Sequence, residues 1–510
     1  MNIQPFASLS AVLHLHLLER PGAVFMLAPE TGQTLTFAQL ALAARRTAAM
    51  LHALGHRPGD KIALLLPGGV HGATFTLALM LAGYIAVPLS LLAGEETLGW
   101  IIAHSRCRVV VTCEEHVARL RAALAALPAD RRPGIALHEP EEPPLAPASA
   151  PPPPPELTRK TPALLIYTSG TTGKPKGVLL TQGNLLTAAG KIARWHQLTP
   201  RDRLLCAMPL YHINGLVIGT LVPFITGGSV VAPRRFSVSA WWGMVGTYRC
   251  SWLNLVPTMI AFLLDAAGPG PRRYPWVKFA RSASAPLSPS QHRRFVSRFG
   301  IPVIEGMGMT ESASLAFCNP HGGAVCGSVG LPCGITAAVC DRQGTHLADN
   351  RAGEIILRGA NVMDGYYRDA AGSGAVIDAR GWLHTGDLGH RDSRGFYFIT
   401  GRLKEIIIKG GENIAPQEID EALNDFPAIR EAAAFAIPDA AYGQNIAAAL
   451  VVDAGAVLDE TALRDWCRDK LGAYKVPTRF YVIEALPRGG SGKIQRLALC
   501  ARLATSPPKK

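Results

Sequence analysis

A short segment rich in glycine and hydroxyls holds the densest set of chemically useful side chains. It reads Tyr167-Thr-Ser-Gly-Thr-Thr-Gly-Lys-Pro-Lys-Gly177 and follows the apolar run 163–166. Glycines permit a tight loop whose N–H groups point inward and bind anions. The candidate phosphate-binding residues are Thr168, Ser169, Gly170, Thr171, Thr172, Gly173, Lys174 and Lys176. The segment predicts a polyphosphate loop at the end of a buried strand, without the spacing of a Walker A loop.

This segment resembles the phosphate loop of the adenylate-forming superfamily, which includes acyl-CoA synthetases, carrier-protein adenylation domains and luciferases. Further motifs that resemble those of the family follow in the same order and span about residues 36–496. The resemblance implies a reaction in two halves. A carboxylate attacks the α-phosphorus of ATP to give acyl-AMP and pyrophosphate, and a thiol then displaces AMP.

The segment Glu305-Gly-Met-Gly-Met-Thr-Glu311 resembles the family's Tyr-Gly-x-Thr-Glu motif. The resemblance implies that Thr310 hydrogen-bonds the α-phosphate and that Glu311 holds Mg2+, which prefers carboxylates and phosphate oxygens. Met307 stands where the family usually has an aromatic residue on adenine, and a thioether can still cover a ring face. The other implied nucleotide contacts are Ser284, Ala285, Pro286, Glu305, Gly306 and Gly308.

Two later motifs complete the implied nucleotide site. His384-Thr-Gly-Asp387 is similar to the ribose-binding motif, and a carboxylate such as Asp387 can accept two hydrogen bonds from a ribose diol. Arg402 is implied to contact the ribose or a phosphate. The loop Pro487–Arg496 presents Lys493, which is implied to bridge the substrate carboxylate and the α-phosphate.

The resemblance also implies a mobile lid. Lys404 occupies the family's hinge position. Rotation of the lid would withdraw Lys493 and bring Gly410, Gly411 and Glu412 to the thiol channel, which is gating by a conformational step.

The implied acyl pocket consists of His212, Asn214, Gly215, Met309 and Ser314. A buried core histidine remains an alternative for His212. Local sequences look most like the small-acid branch that includes oxalate– and malonate–CoA ligases. Oxalate is disfavoured, because Ser314 stands where oxalate-using members commonly have histidine. Arg281 is either a partner for a second carboxylate or a surface charge at a strand end.

The elements that position these residues predict two domains. Strands alternate with helices up to residue 400, which predicts an α/β domain with mostly parallel sheets and a β-barrel-like subdomain. From Gly401 onward the pattern changes to a compact α+β unit of typical small-domain size. The predicted domains are residues 1–400, for AMP binding, and 401–510, the lid.

Composition excludes several classes of protein. The 510 residues are 48% apolar and 17% charged, as in folded multidomain proteins, and the net charge of +13 is scattered rather than gathered in a nucleic-acid-binding arm. Gly83 and Pro88 interrupt the apolar stretch 73–89, so no membrane span is predicted. The ten cysteines form no Cys-x-x-Cys pair, and neither histidines nor acids cluster near Cys326, Cys333 and Cys340 to indicate zinc. We therefore expect reduced thiols in a cytoplasmic protein.

The sequence thus predicts an ATP-dependent acid–thiol ligase that uses Mg2+ and makes an acyl-CoA from a small carboxylic acid and coenzyme A. The first alternative is an acyl-AMP ligase that loads a free-standing acyl or peptidyl carrier protein. The second is an inactive nucleotide-binding paralogue, which only Met307 favours.

Overall fold

A computed structural model describes residues 6–138, 155–168, 174–266, 274–453, 455–456, 458–488 and 494–503. The proline-rich stretch 140–155 lies almost entirely outside these residues, and so do two predicted site features, the centre of the phosphate loop at 169–173 and Lys493. Within the described part of the chain, every helix is too short or too polar to cross a membrane.

The strands are numbered β1 to β24 along the described chain. They are β1 Val24–Leu27, β2 Thr34–Thr36, β3 Lys61–Leu65, β4 Ile85–Pro88, β5 Val109–Thr112, β6 Gly134–Leu137, β7 Pro162–Thr168, β8 Lys176–Thr181, β9 Arg203–Cys206, β10 Ser229–Val231, β11 Trp252–Leu255, β12 Phe279–Ser282, β13 Val303–Met309, β14 Ser314–Cys318, β15 Leu331–Pro332, β16 Thr336–Cys340, β17 Gly353–Arg358, β18 Leu383–Arg391, β19 Tyr397–Arg402, β20 Ile407–Lys409, β21 Glu412–Ile414, β22 Ile429–Asp439, β23 Gly443–Val452 and β24 Arg479–Val482.

The α-helices are numbered in the same way. They are α1 Leu9–Glu19, α2 Phe37–Ala53, α3 Val70–Leu81, α4 Glu95–Ser105, α5 Glu114–Ala125, α6 Gln182–Trp195, α7 Val222–Thr226, α8 Val238–Thr247, α9 Pro257–Asp265, α10 Pro289–Phe299, α11 Ala370–Gly374, α12 Pro416–Asn424, α13 Glu460–Leu471 and α14 Arg496–Leu503. A π-helix, Asn214–Leu221, precedes α7.

Two large sheets form the first part of the chain and confirm the predicted α/β class. One has six strands in the order β6-β5-β3-β4-β7-β8, and the other has nine in the order β15-β14-β13-β12-β11-β9-β10-β1-β2. Strands β4 and β5 are buried along their whole length, as expected for parallel strands covered on both faces. In the nine-stranded sheet, β9 to β13 and β1 pair in parallel, and antiparallel strands close both edges.

Hydrogen bonds from capping side chains mark the ends of two of the helices. Helix α2 starts with a capping box, in which Thr36 and Gln39 satisfy each other's backbone N–H groups. Helix α10 starts at Ser288, whose hydroxyl accepts from Gln291 N, and ends at Gly300 with φ +66°. Both helices therefore begin at a residue that the sequence defines locally.

Two smaller sheets complete the molecule. The subdomain predicted to be barrel-like is an antiparallel sheet in the order β16-β17-β18-β19. The C-terminal unit has the order β21-β20-β23-β22, with β24 beside β23, and it buries its own core around Ile419, Leu450 and Leu463. The division at residue 400 stays a prediction, and Gly401 lies within β19.

Candidate active site

The predicted phosphate loop lies between two antiparallel strands, and the structure describes the residues at both of its ends. Thr168 at the end of β7 pairs with Lys176 at the start of β8, and Thr168 Oγ1 lies 3.5 Å from Lys176 O. Lys176 Nζ lies 4.6 Å from the centre of the Tyr366 ring and 3.9 Å from Asp369 Oδ2. Lys174 is exposed. Both lysines therefore lie directly after the centre of the predicted loop, and Lys176 contacts Tyr366 and Asp369.

Glu311 lies in a short 3-10 turn, Thr310–Ser312, that follows β13. Its carboxylate is buried and accepts a hydrogen bond of 2.9 Å from the Tyr366 hydroxyl. Burial and the Glu311 charge raise the pKa of Tyr366, so this hydroxyl stays a donor. Carboxylate and hydroxyl oxygens from Glu311 and Thr310 are the donor type that Mg2+ prefers. Glu311 and Thr310 therefore fit an Mg2+ site. Nothing in the sequence indicated that Tyr366 would contact Glu311.

Strand β13 places the residues predicted to lie along the adenine. Met307 is half-buried, opposite Phe317 of β14, and it packs against the main hydrophobic core. Glu305 is buried, and its Oε1 lies 2.8 Å from His292 Nδ1 on α10. Ser284, Ala285 and Pro286 lie in the loop between β12 and α10, where Ser284 has φ +77°.

The predicted ribose residues meet at the end of the four-stranded sheet. Asp387 on β18 pairs in register with Arg402 on β19, and Asp387 Oδ1 lies 2.7 Å from Arg402 Nε. Glu354 holds the turn before Asp387, because it accepts from Gly386 N at 2.9 Å and its Oε2 lies 2.8 Å from His384 Nδ1. Glu354 was not predicted as a site residue, because it lies 30 residues before His384.

The predicted acyl-pocket residues lie around the start of the π-helix. His212 is half-buried, with its ring 4.6 Å from that of Tyr211, and Asn214 and Gly215 are buried in the first turn. A π-helix is rare and often occurs at functional sites. Met309 is half-buried and pairs with Ser314, which is buried with φ +111°.

Arg281 is buried at 2% exposure, so the expectation of a surface charge at a strand end is wrong. Its Nη1 donates to Asn254 Oδ1 at 3.0 Å and to Asn214 Oδ1 at 3.3 Å. Burial lowers the pKa of this guanidinium. The strand end was misjudged because the neighbouring strands β11 and β13 and the π-helix enclose it, which local sequence does not reveal.

The predicted hinge and thiol-channel residues lie at the start of the C-terminal unit. Lys404 is exposed in a 3-10 turn, Leu403–Glu405. Gly410 and Gly411 have positive φ, of +53° and +89°, and form the tight turn between β20 and β21. Glu412 follows them and is exposed. The two glycines thus provide the turn conformation that other residues rarely adopt.

Two of the three spaced cysteines lie beside a histidine and an acid in the fold. Ligand atoms of His292, Glu305 and Cys326 lie within 4.8 Å of one another, and so do those of Cys340, Glu354 and His384. The members of each set are separated in the chain, which is why spacing did not reveal them. Burial raises the pKa of Cys340 to about 11, so this thiol stays protonated.

Comparison with known proteins adds independent information. Residues 15–367 match the family described as AMP-binding enzyme, and residues 418–493 match the AMP-binding enzyme C-terminal domain. The chain is 46% identical to the sulfoacetate–CoA ligase of Cupriavidus necator over 97% of both chains. It is 34% identical to the oxalate–CoA ligase of Arabidopsis thaliana over 89% of this chain and 90% of that one. The o-succinylbenzoate coenzyme A synthetase of Bacillus subtilis, solved with ATP and magnesium, superimposes with a TM-score of 0.84 at 30% identity, covering 96% of this chain and 98% of that one.

Proposed function

Because the chain belongs to the AMP-binding enzyme family and is an AMP-forming acid–CoA ligase, we propose that its acid substrate is a short carboxylic acid with a second anionic group, and that this acid is sulfoacetate. The observation that carries the proposal is the 46% identity to a sulfoacetate–CoA ligase, which extends over 97% of both chains. The co-substrates are ATP and CoA, and Mg2+ is the metal cofactor.

We assign the first half-reaction to residues from both parts of the chain. Lys493 bridges the acid carboxylate and the α-phosphate, and Thr310 hydrogen-bonds that phosphate. Lys174 and Lys176 lie beside the phosphates, and Asp387 with Arg402 binds the ribose. Mg2+ held by Glu311 would neutralise charge on the phosphate oxygens. The contact between Tyr366 and Glu311 supports this assignment, since it fixes the carboxylate before the metal arrives.

The second half-reaction requires a thiol to reach the acyl-AMP. We assign its channel to Gly410, Gly411 and Glu412, with the hinge at Lys404 and the domain boundary at residue 400. The turn at Gly410 and Gly411 supports the assignment, because a Cβ at Gly411 would meet nothing within 4 Å and a narrow thiol chain can approach the backbone there. A cytoplasmic location is inferred as well, supported by ten cysteines that are all free.

Pyrophosphate release from ATP and Mg2+ tests the acid and the acceptor together. The acids are sulfoacetate, oxalate, malonate and propionate, each with and without CoA. We expect sulfoacetate to exceed propionate by at least ~100-fold in kcat/KM, since a site built for a polar group rejects an analogue that lacks it. CoA should be consumed in equal amount.

Two results would contradict the proposal in different ways. Equal kcat/KM values for propionate and sulfoacetate would show that the substrate needs no second anionic group. Pyrophosphate release that depends on the acid but leaves CoA unconsumed would favour a carrier protein as the acceptor.

A further inference from the structure

Four side chains form one row across the nine-stranded sheet, and three of them lie within the last two residues of their strands. Cys206 on β9 is in register with Asn254 on β11, Asn254 with Arg281 on β12, and Arg281 with Ile304 on β13. Neighbours in parallel register point to the same face of the sheet. The carboxyl ends of such strands are where open α/β sheets bind ligands. The row therefore places the guanidinium of Arg281 beneath the predicted acyl pocket.

The charge on Arg281 has no carboxylate partner among the described residues. The acidic groups that act on it are the thiols of Cys206, Cys318 and Cys333. Burial raises the pKa of all three, that of Cys333 to about 12, so they stay protonated and neutral. Arg281 Nε is buried without a hydrogen-bond partner in the described structure. An uncompensated buried cation is costly, and a bound anion would offset that cost.

The other ionisable neighbours do not supply the missing negative charge. His196 is buried, and burial together with Arg281 lowers its pKa, so the imidazole is neutral. Lys191 donates to Asn361 Oδ1 at 3.0 Å, and burial lowers its pKa. Both residues come from the α6 segment that packs beside the π-helix, so this side of the core is either neutral or positive.

Asn214 forms hydrogen bonds with two residues of the buried row and with Ser284 in the loop after β12. Its Oδ1 accepts from Arg281 Nη1 at 3.3 Å and from Asn254 Nδ2 at 3.0 Å. Because arginine can only donate, the oxygen of Asn214 must face Arg281 and the amide nitrogen must face away. That nitrogen lies 3.2 Å from Ser284 Oγ, in the half-exposed loop after β12. Ser284 therefore uses one of the two N–H groups of Asn214, which leaves the second one, polarised by Arg281, as the donor available to a ligand.

We propose that Arg281, acting through Asn214, forms the subsite that binds the second, non-reacting anionic group of the acid. This inference rests on the proposed function and assigns its selectivity to a positioning residue, Arg281, and a contact residue, Asn214. A sulfonate is ionised throughout the working pH range and offers three acceptor oxygens. An uncharged group of the same shape leaves the donors unpaired, which costs binding energy.

The variants Asn214→Asp and Arg281→Met test the subsite. In Asn214→Asp the new carboxylate is nearly isosteric and pairs with Arg281, so the fold is kept while the donor and the net positive charge are lost. Selectivity is the ratio of kcat/KM for sulfoacetate to that for 3,3-dimethylbutanoate, whose tert-butyl group has the shape of a sulfonate. We expect the ratio to fall by ~30-fold or more in both variants, mainly through KM for sulfoacetate.

Arg203→Met provides a matched control. Arg203 is at the opposite end of β9, where it donates to Ser229 Oγ at 3.0 Å and to Tyr248 O at 2.7 Å. Its loss should leave the selectivity ratio within about two-fold of the wild type. Arg281→Lys, which keeps the charge, should recover part of the selectivity lost in Arg281→Met.

A measurement on the unaltered protein supplements the variants. Methanesulfonate, which has no carboxylate, should compete with the acid substrate for the wild type and fail to compete for Asn214→Asp. An unchanged selectivity ratio in the folded Asn214→Asp variant, together with no competition in the wild type, would overturn the subsite. A wild type that does not prefer sulfoacetate to its uncharged analogue at all would instead overturn the proposed function.

Discussion

At the scale of single residues, the Tyr366 hydroxyl has a larger role than its position in the chain suggests. It donates to Glu311 at 2.9 Å, and the same ring lies under Lys176 at the phosphate loop. One aromatic side chain therefore joins the proposed metal ligand to the proposed phosphate loop. A hydrogen bond to a charged group stabilises its orientation by about 1.5–3 kcal/mol.

Tyr366→Phe should raise the Mg2+ concentration needed for half-maximal pyrophosphate release by ~5-fold or more, because Glu311 loses the donor that orients it. The melting temperature should change by less than about 3 °C, since the ring and its packing remain. Titration of free Mg2+ at saturating ATP measures the first effect, and thermal denaturation measures the second.

Tyr367→Phe is the control for this substitution. Tyr367 is the next residue, but its ring lies 5.8 Å from that of His104 and is approached by Lys61. The Mg2+ dependence of pyrophosphate release by Tyr367→Phe should match that of the wild type. If both variants shift the Mg2+ requirement equally, the hydroxyl of Tyr366 has no specific role.

The sequence singles out Glu311 as a candidate and gives no sign of Tyr366, for one physical reason. Glu311 belongs to a contiguous motif whose neighbours indicate its chemistry. Tyr366 reaches it across 55 residues through tertiary packing, and neither periodicity nor spacing encodes that contact. Arg281 illustrates the same limit, because its burial depends on the strands and the π-helix around it rather than on its own segment.

At the scale of elements, the π-helix holds two residues of the proposed acyl pocket, Asn214 and Gly215. It begins at Asn214, and the next residue must be glycine, because a Cβ at Gly215 would lie 2.3 Å from Pro209 O and 2.7 Å from Met208 O. Both obstacles are backbone atoms, which cannot move aside as a flexible side chain could. The first turn therefore packs directly on the loop that carries His212.

Gly215→Ala should destabilise the protein by about 1–3 kcal/mol and raise KM for the acid, because the first π-turn must shift away from the preceding loop. Urea denaturation and initial rates at varied acid concentration measure the two effects.

Gly243→Ala in α8 is the matched control, since a Cβ there meets nothing within 4 Å. It should be neutral or stabilising by up to about 1 kcal/mol, because alanine favours helix. Equal destabilisation by both substitutions would mean that the close approach at Gly215 does not decide its identity.

Helix ends carry local signals in the sequence, and the π-helix does not. The serine at 288 and the glycine at 300 are such signals, and in the structure Ser288 is the N-cap and Gly300 the C-cap of α10. Such caps depend on side chains within three residues of each other. A π-helix has no comparable local signal, so Asn214 and Gly215 were predicted as pocket residues without a conformation.

At the scale of the whole molecule, the two family matches leave residues 368–417 between them, and the proposed catalytic lysine is in the second. Asp387 and Arg402, which pair at 2.7 Å, lie in that connecting stretch. A change at Lys493, in the second matched segment, should therefore affect adenylate formation and thioester formation unequally.

Lys493→Ala should reduce acid-dependent pyrophosphate release by ~100-fold or more, because the charge that stabilises the transition state is lost. Thioester formation from supplied acyl-AMP and CoA should remain within a few-fold of the wild type. Lys475→Ala, which removes a surface ion pair with Glu418, is the control and should affect neither half-reaction. Parallel loss of both half-reactions would overturn the assignment of Lys493 to the first.

The distribution of thiols across the molecule provides a reporter of its working cycle. Eight of the ten cysteines are buried, Cys500 is half-buried, and Cys326 is exposed. The sulfur of Cys326 lies within 4.8 Å of ligand atoms of Glu305 and His292, next to the strand proposed to lie along adenine. Because the pKa of Cys326 is raised by desolvation, a maleimide dye would attach fastest in mildly alkaline buffer. Fluorescence from that position would then follow nucleotide arrival and departure in real time, without any engineered cysteine.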